Sequence, residues 1–183
     1  MSLEAQFAHH ASKVAADLIG AYFTVHGVGG TIVETEAYAA DDEASHSFKG
    51  QTSRNSVMFG HPADVYVYRS YGLHWCLNFV CLSGSAVLLR AIEPAEGLQA
   101  MHARRQIQNN RLLCSGPGRL CQALGINGDY NGLSLGQPIF SLTFPETRSP
   151  LSCGRRIGIS KAIDVPWRFG LKGSKYLSQP FPS

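Results

Sequence analysis

No stretch of this 183-residue chain is apolar for long enough to cross a bilayer. The first twenty residues lack an uninterrupted apolar core as well, because His9, His10, Lys13 and Asp17 break it up. The expectation is a soluble cytoplasmic protein with no membrane partner. Cysteine is sparse and odd in number: the five at Cys76, Cys81, Cys114, Cys121 and Cys153 do not form the close pairs that zinc sites draw on, and they read as buried free thiols. The seven histidines show no ligand spacing with acids, so neither a metal nor a cofactor is expected. Glycine-rich phosphate fingerprints, internal repeats and low-complexity tracts are also missing, which argues against a dinucleotide fold and against division of the chain.

Charge is present, but unevenly. Residues 1–96 hold five Lys and Arg against ten Asp and Glu, a net of −5, whereas residues 97–183 hold eleven against three, a net of +8. A basic second half suits a polyanionic partner, although a solvated basic face would look the same.

The apolar positions Phe7, Ala11, Val14, Ala15 and Leu18 recur at helical spacing between Glu4 and Ile19, with Gly20 as the stop. Short alternating segments then predict strands at 31–38, 64–69, 76–82 and 86–92. Pro94 is expected to open a helix through Arg105, followed by a polar loop from Gln106 to Arg111. Ser115-Gly116-Pro117-Gly118 is expected to cap a second helix ending at Gly125, and strands resume near 138–144, 155–159 and 167–172. Strands first, helices inserted and strands again describe one α+β domain spanning residues 1–183, built on a curved, open barrel-like antiparallel sheet with flanking helices.

Three segments carry chemistry. In Ile32 to Tyr38, alternation puts Glu34, Glu36 and Tyr38 on one strand face. That pattern alone describes many solvated strands. In Ala86 to Ile92 a single Arg90 interrupts an apolar run, and a guanidinium there is costly unless a carboxylate pairs with it. Glu36 is the natural partner and Glu93 its rival; a snorkelling arginine is the bland alternative. A paired carboxylate beside an arginine can hold a water and accept its proton. Third, Asp64 to Gly72 puts Tyr66 and Tyr68 on one face and Tyr71 at a turn tip, where aromatics wedge between base pairs or stack on unpaired bases.

These residues resemble the alkyladenine (3-methyladenine) DNA glycosylase family. The similarity runs through Ile32 to Tyr38, Asp42-Glu43-Ala44-Ser45-His46-Ser47, Arg54-Asn55 with Met58-Phe59, Tyr66 to Asn78, Leu88 to Gly97, and Leu113 to Pro117 through Gly125-Ile126. A weaker echo lies at Arg156 to Ile159 and Trp167-Arg168-Phe169. Together the main segments cover most of residues 31 to 135, and such an ordered set is far more specific than any one motif.

The resemblance implies a DNA repair enzyme that flips alkylated or deaminated purines out of duplex DNA and hydrolyses the N-glycosidic bond, leaving an abasic site. Glu36 would activate the attacking water, with Arg90 and the backbone carbonyl of Ile157 helping to hold it. Tyr38, His46 and Tyr68 would form the slot for the base, Asn78 would discriminate against guanine, and Tyr71 would fill the hole left in the duplex. Arg54, Ser115 and Gly116 are candidate contacts to the DNA backbone. No lysine stands where the matching motifs would need a Schiff-base nucleophile, so water is the expected nucleophile. A monomer is expected, and the absence of a long tail points to a bacterial form. Two departures touch the rim: Ser47 to Ser53 lacks an extra arginine and a proline common in relatives, and Arg69-Ser70 stands where a more apolar pair precedes Tyr71. The rival readings are a noncatalytic module that binds lesions or other nucleic acid, which would not need Glu36, and a hydrolase of free nucleosides.

Overall fold

The computed structural model describes residues 2–182. The opening amphipathic segment is two helices, α1 (Leu3–Phe7) and α2 (Ala11–Asp17), not one. His10 causes the break: it adopts extended backbone and its Nδ1 accepts the Ser12 N–H at 3.3 Å, capping α2. The inward residues still agree with the helical spacing, since Phe7, Ala11, Val14, Ala15 and Leu18 are all buried.

Strand β1 (Tyr22–Val25), too short to stand out in the sequence, pairs with the long β2 (Val28–Tyr38) across a turn in which His26 and Gly27 both have positive φ. β3 (Val65–Ser70) and β4 (His74–Val80) form a second hairpin, and β5 (Ala86–Glu96) lies between β4 and β2. The remaining strands are β6 (Phe140–Thr143), β7 (Leu151–Gly154) and β8 (Arg168–Leu171). The order is β3-β4-β5-β2-β1-β6, with β8 alongside the second half of β2 and β7 beyond β8; every pairing is antiparallel. The sheet curls into a half-barrel. Helix α2 packs on β2 and β5, while α3 (Leu98–Arg105) packs on α4 (Pro117–Leu124), which lies against β4 and β5. The result is an α+β fold, and no helix among the described residues is long and apolar enough to cross a membrane.

Three further expectations change. Pro94 does not open a helix. It lies within β5 opposite Gly30, and α3 starts only after Gly97, whose φ of 70° ends the strand. The strand expected at 155–159 is instead β7 at 151–154, so Ile157 sits in the irregular segment after it. Four cysteines are buried, but Cys153 is exposed.

Close approach explains the glycines of β2. A Cβ on Gly30 would fall 2.0 Å from the Glu93 carbonyl oxygen, and one on Gly29 2.0 Å from that of Phe23. Only glycine lets β2 pass so near both neighbours.

Candidate active site

The central pair β2 and β5 decides where the acids go. Its register runs Ile32↔Ile92, Glu34↔Ala91, Thr35↔Leu89, so Val33 is an extra residue on one strand and Arg90 an extra residue on the other. Paired bulges of this kind re-aim side chains without shifting the rest of the ladder. Thr35 turns toward α2, its hydroxyl donating to the Ala15 carbonyl at 2.8 Å. Glu34 and Glu36 both turn toward Arg90, and both are fully buried. The solvated-strand alternative therefore does not describe β2.

Arg90 bridges the two carboxylates. Its Nε donates to Glu34 Oε1 at 3.2 Å and its Nη1 lies 3.5 Å from Glu36 Oε1. Neither snorkelling nor pairing with Glu93 occurs; Glu93 lies farther along, opposite Thr31. Glu36 accepts two further hydrogen bonds, from the Ile157 N–H to Oε1 and from the Tyr38 hydroxyl to Oε2, both at 2.7 Å. Ile157 thus touches the acid through its amide, where the resemblance implies a role for its carbonyl. Burial, and next the Glu36 carboxylate, push the Tyr38 hydroxyl well above the ordinary phenol value, so it remains a proton donor.

Above this floor opens a cleft of about 1130 Å³ whose walls include Tyr38, His46, Tyr68, Asn78, Arg90 and Ile157. Glu36 is not itself on the cleft lining, but its partners Tyr38, Arg90 and Ile157 are. The His46 ring meets Tyr68 edge-on at 4.5 Å between centroids, and its Nδ1 is 3.3 Å from the Tyr66 hydroxyl. Desolvation holds His46 below its usual imidazole value, while burial pushes Tyr66 up to about 12. His46, Tyr66 and Tyr68 thus form an aromatic face that is uncharged near neutral pH. Asn78 is buried, its Nδ2 donating to the carbonyls of Tyr66 at 3.1 Å and Cys76 at 3.4 Å.

Tyr71 stands at the tip of the β3–β4 hairpin, where Leu73 N–H closes the turn on the Ser70 carbonyl at 2.9 Å. Tyr71 and Gly72 both have positive φ, 49° and 66°. A bulky side chain in that region is uncommon and strained. It leaves Tyr71 89% exposed beside the cleft mouth, with Leu73 77% exposed next to it on the hairpin.

Of the backbone-contact candidates, Arg54 is exposed on the cleft rim. Ser115 and Gly116 do not join it. They line an adjoining hollow of about 730 Å³ with Arg105 and Arg119, and the two spaces meet at His74, Trp75 and Pro117. The start of α4 has no side-chain cap, because its cap position is Gly116; Ser115 is buried, its Oγ accepting from Arg119 Nη1 at 3.2 Å.

Several residues went unread in the sequence. Arg156 is buried, paired with Asp42, and lies 4.8 Å from the Tyr38 ring centroid, which braces that wall. Arg168 donates to Glu34 at 2.8 Å. Arg168, between Trp167 and Phe169, interrupts apolar neighbours as Arg90 does, so the desolvation argument that singled out Arg90 applies to it equally; Arg156, next to Arg155, carries no such signal. Lys161, a loop residue without such a signal, lies on the cleft rim.

Fold and cleft together define an α+β protein with a buried acid–arginine pair beneath an aromatic recess. Residues 5–175 match the family model described as Methylpurine-DNA glycosylase (MPG). A protein of Rhizobium meliloti (strain 1021) is 64% identical over 175 residues, covering 96% of this chain and 95% of its own. Another, from Nitrosospira multiformis, is 60% identical over 178 residues, covering 96% and 92%. One from Rhizobium etli is 56% identical over 179 residues, covering 98% and 89%. All three are provisionally named 3-methyladenine DNA glycosylases. The chain belongs to the methylpurine-DNA glycosylase family.

Proposed function

We propose that this protein is a monofunctional DNA N-glycosylase of the 3-methyladenine type, which takes an alkylated or deaminated purine out of duplex DNA into the cleft and hydrolyses its N-glycosidic bond with a water activated by Glu36. The observation that carries this reading is the Glu36–Arg90 pair lying beneath a cleft walled by Tyr38, Tyr68 and His46.

Flipping costs a few kcal/mol of lost stacking and pairing, and a damaged or mismatched base costs less. Tyr71, held outward by its turn, fills the gap in the duplex, and the tyrosine slot returns stacking energy. Alkylation at N3 or N7 makes the purine a cation, which improves it as a leaving group and draws it to tyrosine faces. Neutral His46 adds no repulsion. The Tyr38 hydroxyl yields Glu36 Oε2 to the water as the base enters, and Arg90 with the Ile157 segment keeps the carboxylate in place. The water gives its proton to Glu36 as its oxygen bonds to the sugar C1′, the base departs with the bonding pair, and an abasic site remains. Asn78, at the wall, screens the purine edge against guanine. Arg54, Lys161 and the Ser115–Gly116 hollow contact phosphates, and the protein acts as a monomer on cytoplasmic DNA.

The test is base release from duplexes carrying single 3-methyladenine, 7-methylguanine, hypoxanthine or etheno lesions, without added metal. The wild-type protein should free the base and leave strands that nick only after alkali. Glu36→Gln should bind the lesion duplex as before yet release base at least about 1,000-fold more slowly, the upper range for a positioned general base. Undiminished release by that variant would sink the reading. Turnover of free nucleosides as fast as duplex would favour a nucleoside hydrolase, and nicking without alkali would implicate Lys161.

A further inference from the structure

The water chemistry assigned to Glu36 leaves its neighbour Glu34 without a task, yet Glu34 is bound more completely than any other carboxylate of the cleft floor. It is fully buried and accepts from Arg90 Nε at 3.2 Å, Arg168 Nε at 2.8 Å, the Ser178 hydroxyl at 2.8 Å and the Ser178 N–H at 2.5 Å. Two carboxylates and two guanidiniums meet here, so the buried cluster balances in charge.

Geometry assigns the parts. The only ion-pair contact of Arg90 to Glu36 is at 3.5 Å, too long to fix the guanidinium plane by itself. The second contact, through Nε to Glu34, fixes that plane and thereby the direction of Nη1. Glu34 is held in turn by the end of the chain. Arg168 also donates to the Gln179 carbonyl, and the Phe181 ring covers its guanidinium at 4.0 Å. Glycine makes the berth: a Cβ on Gly170 would lie 2.4 Å from Phe181 Cε2. The segment 176–182 thus folds back beneath the reactive pair, and Ser178 lies beyond the residues 5–175 that the family model matches.

We propose that Glu34 is a positioning residue, which holds Arg90 against Glu36, and that the C-terminal segment holds Glu34 through Ser178. The proposal rests on the glycosylase reading above. Ordinary burial of an ion cluster would stabilise the fold without favouring the chemical step; a positioning role acts on that step, and acts through Arg90.

Single-turnover base release at saturating protein, lesion-duplex affinity and thermal unfolding would be measured for full-length Glu34→Gln and Ser178→Ala, each alone and with Arg90→Gln. Misplacing a reacting group by a fraction of an ångström slows chemistry steeply, so Glu34→Gln should be about 30-fold slower and Ser178→Ala about fivefold slower, with duplex affinity within about twofold. In the Arg90→Gln background both effects should shrink below about twofold, since residues acting through one partner are not additive. Wild-type rates in the single variants, or slowing that persists undiminished without Arg90, would overturn the proposal. Should Glu34→Gln fail to fold, the Ser178→Ala cycle decides, because it leaves every charge in place. Glu36→Gln run in parallel separates the failures: if it still releases base the glycosylase reading falls, whereas if it is inert while the Ser178 and Glu34 variants are fast, only the positioning role falls.

Discussion

The floor of the cleft and the tip of the β3–β4 hairpin are opposite solutions to placing a functional side chain. At the floor, Glu34, Glu36, Arg90 and Arg168 come from three strands, are nearly inaccessible, and constrain one another through hydrogen bonds that no single segment could supply. At the tip, Tyr71 is placed by the four consecutive residues Ser70 to Leu73 and one turn hydrogen bond, and it is largely exposed. The floor is over-determined and so can hold charges away from water. The tip is determined locally, so it can meet a partner without disturbing the fold. A change at the floor should therefore be felt in stability as well as activity, and a change at the tip in binding alone.

That contrast can be broken most forcefully at Arg168. Arg168→Ala leaves the buried Glu34 carboxylate short of one cation, and losing one member of a buried ion cluster costs about 3 kcal/mol. The denaturation midpoint should fall accordingly; an unchanged midpoint would mean that the cluster is not rigidly held. Tyr71→Ala should give the reverse pattern. Stacking contributes about 1–3 kcal/mol per base, so affinity for a lesion duplex should drop about tenfold or more while the unfolding transition stays put. A loss of stability there would show that the tip is tied to the core after all.

The smallest effect sharpens the boundary between the two regions. His46 is held neutral by desolvation, below the ordinary imidazole value of 6.5. A group whose folded value is depressed contributes stability above its unfolded value and loses it as pH falls through the folded one. Acidification below pH 6.5 should therefore soften the cleft wall modestly, and the cation it creates should repel a cationic purine more than a neutral one. Any advantage of 7-methylguanine over hypoxanthine as a substrate should narrow as pH falls, and His46→Gln should remove that pH dependence. The same narrowing in the variant would assign it elsewhere.

Parts of this picture were legible from the residues alone. The alternation in β2 put Glu34, Glu36 and Tyr38 on one face, and the cost of an isolated guanidinium singled out Arg90; both hold in the structure. The same cost applies to Arg168, set between Trp167 and Phe169 in a segment that reads as a strand, whereas Arg156 follows Arg155 and carries no such signal. Ser178 had no signal at all: a serine in a polar tail gains meaning only when the chain end folds back onto β2. The helix expected from Pro94 starts later because a proline suits a helix start and an irregular stretch of strand equally well, and only the pairing with Gly30 decides between them.

By itself, then, the sequence determined what acts over a few residues: alternation along strands, helical spacing, the turn that exposes Tyr71, and the family to which these motifs belong. Tertiary structure alone decided which carboxylate each arginine meets, that the Ile157 amide reaches Glu36 across more than a hundred residues, and that the chain end lies beneath the cleft. The reason is physical. Local rules follow from backbone geometry, whereas the pairing of buried charges depends on sheet register and paired bulges, where a slip of one residue would turn every acid to the other face.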